Sequence, residues 1–316
     1  MVEAAPERWS HPAVILVATD LSDLDRLMPF ALDQAAQMGA RLILLHVIAL
    51  SEAITADIAG MPYYDPIGAL DTAARALEAA CQQARKHNVV CDALVREGHA
   101  AQQVLSAARQ FHADRILLGT RSRGKVSRLL IGSVAEQVLR LVNIPVITVG
   151  PEAHLPVEGS QPEKLVLHAT TLRETSRPSA ALASRVAGSL GARLILLHVL
   201  PPIPEMQRRG EPTGIDSAAM QELRATAEEV SRDCAVPIEP EVIHGNPAIE
   251  ILAEAAGRRA VLIVLGATHH SAFDNLTRDR TVYKVLAHAR CPVMTLREPQ
   301  PAGEEAAAAH VAAHAG

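Results

Sequence analysis

The chain has 316 residues, 49% hydrophobic and 21% charged, with seven aromatic residues and a formal net charge of −5. That length gives a prior of two domains, and that much aliphatic surface excludes a disordered chain; 18 Gly, 20 Pro and 4 Cys exclude collagen-like and disulfide-scaffold classes. The scarcity of aromatic rings excludes a stacking platform for single-stranded nucleic acid, and the acidic balance excludes a global basic footprint for nucleic acid.

Residues 1–12 carry mixed charge, and the apolar stretch 13–18 behind them is too short for a signal-peptide core. The stretch 14–19 is a continuous aliphatic run, as a parallel strand covered on both faces requires. Leu24, Leu27, Met28, Ala31, Leu32 and Ala35 recur at three- and four-residue spacings, which predicts a helix over 24–38 closed by Gly39. Further strands are expected at 42–48, 89–95, 115–118 and 146–149, and helices at 72–87, 100–111 and 133–142. A joint rich in Pro, Gly and Glu covers 150–163, and the same order runs again from 165 to 296. Strands alternating with helices at this spacing imply right-handed crossovers and a parallel sheet. The last stretch, 299–316, is rich in Ala, Glu and His and reads as a flexible tail.

The chain repeats itself. The nonapeptide GARLILLHV at 39–47 recurs identically at 191–199. Ile116-Leu-Leu-Gly119 matches Ile263-Val-Leu-Gly266, and Ile144-Pro-Val matches Cys291-Pro-Val. The difference in length falls at 51–68 against 201–216, both Pro/Gly-containing loops where length changes are tolerated. The expectation is one domain written twice, over 1–150 and 151–298. The last strands, 146–149 and 293–296, are short edges through which the two copies can pair within one chain, with a homodimer as the other possibility. No run of 18 apolar residues exists, so no membrane helix is expected. Cys81, Cys91, Cys234 and Cys291 lack any C-x-x-C spacing and read as buried reduced thiols, which favours a cytoplasmic setting.

In an open parallel sheet the ligand crevice lies beyond the carboxyl ends of the strands. Asp20 follows the first strand, where a carboxylate accepts from ribose hydroxyls or equally well caps the next helix; the motif leaves both open. After the fourth strand comes Gly119-Thr-Arg-Ser-Arg-Gly-Lys-Val-Ser-Arg-Leu-Leu-Ile-Gly132-Ser133, with Arg121, Arg123, Lys125 and Arg128 and no acid among them. Glycines beside a helix start let backbone N–H groups approach an anion, and Ser133 adds a hydroxyl; a solvated basic loop is the alternative.

The spacing of a Gly, two residues, a small residue, nine residues and then Gly-Ser resembles the nucleotide loop of the universal stress protein family. Ala18-Thr19-Asp20, Leu44-Leu-His-Val47, Glu97-Gly-His99 and Asn143-Ile-Pro-Val146 fit the same family, and the likeness covers both repeats, as in its tandem members. The resemblance implies an α/β fold of two Rossmann-like domains, each a five-stranded parallel sheet flanked by helices. It also implies an ATP-binding, stress-response module, with magnesium as the companion of the phosphates. By the same resemblance Asp20, beside Thr19, meets the adenosine end and Val47 the adenine. Gly119, Arg121 and Ser122, next to Leu118, wrap the ribose and phosphates, and Gly132, Ser133 and Val134 hold the phosphates. Ser122 departs from the family's second loop glycine, which adds a side chain where the backbone approaches the ligand.

The second copy departs further: Thr171 replaces Asp20, His269 stands at the second glycine position and Asp279-Arg280 replaces Gly132-Ser133. A carboxylate at that helix start repels phosphate, so one site per chain is expected, in the first copy. No Walker loop, nucleophile elbow or dinucleotide fingerprint is present, and no catalytic pair stands out. A binding module is therefore favoured over a catalyst, slow ATP hydrolysis and a nucleotide-independent scaffold being the alternatives. His244, His269 and His270 lack metal-ligand spacing, and His46 and His198 read as hydrogen-bonded strand histidines.

Overall fold

The computed structural model describes residues 7–48, 66–120, 131–153, 163–202, 214–232, 234–268 and 280–298. In the first copy, β1 (Val14–Thr19) sends Ile15 and Val17 into one core and Leu16 into the other, which is why its run is aliphatic throughout. α1 (Leu24–Met38) ends at Gly39, whose φ of +64° suits a residue without Cβ and whose N–H donates to the Ala35 carbonyl. There follow β2 (Arg41–Ile48), α2 (Pro66–Lys86), β3 (Cys91–Glu97), α3 (Ala100–Gln110), β4 (Arg115–Gly119), α4 (Ser133–Leu141) and β5 (Val146–Val149). The second copy repeats the order as β6 (Lys164–Ala169), α5 (Arg177–Ser189), β7 (Ala192–Leu200), α6 (Gly214–Ser231), β8 (Ile238–His244), α7 (Pro247–Gly257), β9 (Leu262–Thr268), α8 (Arg280–His288) and β10 (Val293–Glu298).

Among the described residues, ten strands form one sheet in the order β3-β2-β1-β4-β5-β10-β9-β6-β7-β8. Pairing is parallel within each copy and antiparallel only where β5 meets β10, the junction expected from the two short terminal strands. Helices cover both faces. One core holds Leu27, Leu77, Leu182 and Leu223, from α1, α2, α5 and α6. The other holds Val104, Val138, Ile251 and Val285, from α3, α4, α7 and α8.

The β5–β10 junction lies on a local two-fold axis. Ile147 faces Met294 in the register, and these are equivalent positions of the two repeats. The Thr148 hydroxyl donates to the Val293 carbonyl at 3.3 Å, and its counterpart Thr295 donates to the Val146 carbonyl at 3.4 Å. Glu136 of α4 and Tyr283 of α8 are likewise equivalent positions, and their side chains are hydrogen-bonded to each other. Burial, with that carboxylate, pushes the Tyr283 hydroxyl above its ordinary value.

One expectation is corrected. Cys81 and Cys91 are not reduced thiols but a disulfide, with Cα atoms 5.1 Å apart, while Cys234 and Cys291 are free. The end of α2 folds straight back into β3 through Asn88, at φ +59°, which brings two cysteines ten positions apart into bonding range. His46 and His198 are half-buried, and their Nδ1 atoms bond the Thr19 and Thr170 carbonyls at 2.9 Å. No helix among the described residues is long and apolar enough to cross a membrane.

Candidate functional site

The strand order reverses between β1 and β4, which opens a crevice at the carboxyl ends of these strands. A cavity of about 170 Å³ occupies it. Its walls are Ala18, Thr19 and Asp20 from the end of β1, Leu118 and Gly119 from the end of β4, and Gly132, Ser133, Val134 and Ala135 from the start of α4. Leu45 and Val47 of β2 with Ala100 and Val104 of α3 make one side apolar, and Asp23 completes the lining.

Asp20 sits in a turn of its own making. Its Oδ1 accepts from the Ser22 N–H at 2.9 Å and from the Ser22 hydroxyl at 2.5 Å, while its Oδ2 is buried without a protein partner. The residue at the helix N-cap is Asp23, not Asp20, and Asp23 makes no side-chain cap bond. Leu21 takes a φ of +70°, unusual for a branched side chain, and is held there by its N–H donating to the Thr19 hydroxyl at 2.9 Å. A buried carboxylate oxygen without a donor is costly, and a hydroxyl or amino group of a ligand would satisfy it.

The opposite wall is a helix start. Gly132 is the N-cap of α4 at φ −61° and ψ 144°, and its N–H donates to the Thr120 carbonyl at 2.8 Å. The next amides carry the positive end of the helix, and Ser133 and Val134 are exposed. Beneath them, a Cβ on Gly119 would overlap Asp23 Oδ2, so glycine is needed for the carboxyl to lie against the strand end.

Of the residues singled out from the sequence, Thr19, Asp20, Val47, Leu118, Gly119, Gly132, Ser133 and Val134 converge on this one cavity. Arg121 and Ser122, with Arg123, Lys125 and Arg128, lie outside the described residues. Asp23 was missed. It reads as an ordinary acid at a helix start, and only the packing of α1 under β4 buries it to 3% exposure.

In the second copy, the Thr171 hydroxyl is bonded to Ser176 Oγ at 2.7 Å, so the group that replaces Asp20 is satisfied within the protein. His269, His270 and Asp279 lie outside the described residues. His244 uses both ring nitrogens, Nδ1 on the Pro201 carbonyl at 2.9 Å and Nε2 on the Asp216 carboxylate. The carbonyl and then the carboxylate hold its pKa above the ordinary histidine value. Among the described residues no three His, Cys, Asp or Glu side chains gather as a metal site.

Comparison with known proteins agrees with this architecture. The model of the universal stress protein family matches the chain twice, over residues 13–150 and 164–297. A universal stress protein of Mycolicibacterium smegmatis is 26% identical over 313 residues, covering 94% of this chain and 99% of the relative. A shorter universal stress protein of Thermus aquaticus is 33% identical over 139 residues, which is 42% of this chain and 98% of the relative. The crystal structure of a universal stress protein from Archaeoglobus fulgidus shares the fold, with a TM-score of 0.68 at 20% identity over 92% of this chain and 98% of that one. A family pattern matched twice, with a relative aligned along nearly the whole length, makes this chain a member of the universal stress protein family with two tandem copies of its domain.

Proposed function

We propose that the chain binds one adenine nucleotide, ATP, in the cleft of its first copy, and acts as a ligand-dependent regulatory module of the stress response. The observation that carries this reading is the pairing of two unmet needs across one cavity. Asp20 Oδ2 is a buried acceptor awaiting a donor, and the start of α4 offers amides awaiting an anion. A nucleoside with its phosphates meets both: ribose hydroxyls or the adenine amino group donate to Asp20, and phosphate oxygens accept from the α4 amides and Ser133. The apolar side made by Val47, Ala100 and Val104 suits a purine face. Arg121 and Ser122 belong to this proposed site by their place in the loop, and magnesium would accompany the phosphates.

The test is to denature the purified full-length protein and identify any released nucleotide. Wild type is expected to release adenine nucleotide. Gly132 has an ordinary extended backbone conformation and lines the cavity, so Gly132→Phe strains no backbone dihedral and places a ring at the cleft wall. That variant is expected to release less than about a tenth of the wild-type amount, because a ring on the cleft wall excludes the phosphates sterically. Undiminished release from the variant would sink the assignment of the cleft.

A further inference from the structure

Among the described residues that line the cleft, Asp23 is a charged group to which nucleotide binding assigns no role. The residue is 3% exposed, lines the cavity and makes no side-chain cap bond to the helix it begins. Oδ1 accepts the Thr19 hydroxyl proton at 2.5 Å, and that hydroxyl is already oriented by accepting from the Leu21 N–H. Oδ2 lies against Gly119, in the space a Cβ would need. The groups that face it are Asp20 and Thr19 at the end of β1, whose backbone carbonyl is tied to His46 of β2, and Arg26 one turn on in α1; Gly119 of β4 brings no charge. Two carboxyl groups therefore line one cavity whose proposed ligand is itself an anion.

We propose that Asp23 makes occupancy of this cleft proton-linked: its carboxyl takes up one proton as the polyphosphate enters, so that the cleft presents a neutral acid in place of a second negative charge. The inference rests on the nucleotide reading of the cleft. Burial already holds the Asp23 carboxyl above the usual carboxylate range, with Asp20 adding to the shift and the Thr19 bond and Arg26 opposing it. A nearby phosphate raises it further, and each unit of that rise is about a tenfold change in affinity for the ionised protein. Ligand binding is accordingly weaker at high pH and tightens as the pH falls through the window between the free and the bound values.

The experiment is calorimetric titration of the full-length protein with ATP and with adenosine between pH 5.5 and 8.5, for wild type and Asp23→Asn. Asparagine keeps the acceptor for Thr19 and removes the charge. In wild type the heat should depend on buffer ionisation enthalpy, showing net proton uptake with ATP and much less with adenosine. At pH 8 the Asp23→Asn variant should bind ATP about tenfold more tightly than wild type, with the difference narrowing as the pH falls. Because ATP titrates too, the quantity read is the difference between the two proteins. Coincident pH profiles would overturn the proposal, and so would a variant that binds more weakly at every pH, which would make Asp23 an acceptor for the ligand. Absence of ATP and adenosine binding in both proteins would bring down the nucleotide reading itself, a result distinguishable from coincident profiles.

Discussion

Acidification from pH 6.5 to pH 4 is expected to cost the folded protein about 3 kcal/mol through His168 alone. This histidine is the next-to-last residue of β6 and has no exposure to solvent. Its Nδ1–H donates to the Val264 carbonyl at 3.0 Å, and its Nε2 has no partner. Burial pushes the ring down to about pKa 4, against 6.5 in the free side chain, with the carbonyl bond opposing only in part. The folded value is the lower one, so the unfolded chain takes up the proton first. Stability is complete above pH 6.5 and is lost progressively as the pH falls toward 4. The equivalent position of the first copy is Val17, also fully buried, which shows that valine fits this place in the repeat. His168→Val should therefore lose this part of the acid sensitivity. Urea unfolding of both proteins at pH 7, 5.5 and 4.5 separates this contribution from that of the carboxylates. Equal losses in the two proteins would refute it.

The second large effect is expected at the two-fold axis. Glu136 and Tyr283 occupy equivalent positions, so a pair of identical copies joined in this way would set Glu against Glu or Tyr against Tyr. The tandem chain instead sets a hydrogen-bonded Glu against Tyr. Tyr283→Glu removes that bond and the ring packing and leaves two carboxylates opposed, for a combined loss of about 3 kcal/mol. Glu136→Tyr should cost less, because it leaves two phenols and no repelling charge. Exchanging both residues, Glu136→Tyr with Tyr283→Glu, recreates the same pair across the axis. The double variant should recover most of the stability lost by Tyr283→Glu, as measured by chemical denaturation in a double-mutant cycle. A double variant no better than the sum of its singles would mean that the pair does not act across the axis.

The parts of the fold that are legible in the sequence are those set by local pattern. α1 spans Leu24–Met38 as its periodicity predicts, because the same stripe that marks it also supplies its buried face, and Gly39 supplies the left-handed turn that stops it. β3 begins at Cys91 and not at 89, because the Val89 N–H is spent on the Ala84 carbonyl in closing α2. α2 begins as early as Pro66, a residue read as loop punctuation but tolerated at a helix start, where no N–H is needed. Arg115 is the opposite case. A charged residue opening a strand reads as exposed, yet it is fully buried, with its guanidinium on Gln34 and on the Trp9 carbonyl, and burial lowers its pKa to about 10. Asp23 is of the same kind: its environment is made by Gly119, far along the chain, and no local spacing encodes it. The cleft was legible through the residues that follow the strands, since strand order alone brings Asp20, Gly119 and Gly132 together. The bond between Cys81 and Cys91 was not, because it depends on how tightly α2 turns into β3.

On the proposed function, this doubled domain keeps one nucleotide site, formed by the first copy. The most direct measurement is the stoichiometry of ATP binding to nucleotide-free, full-length protein by calorimetric titration. Asp20 Oδ2 stands unpartnered while its counterpart Thr171 is already bonded to Ser176, so one equivalent of ATP per chain is the predicted result. Two equivalents per chain, or none, would contradict it.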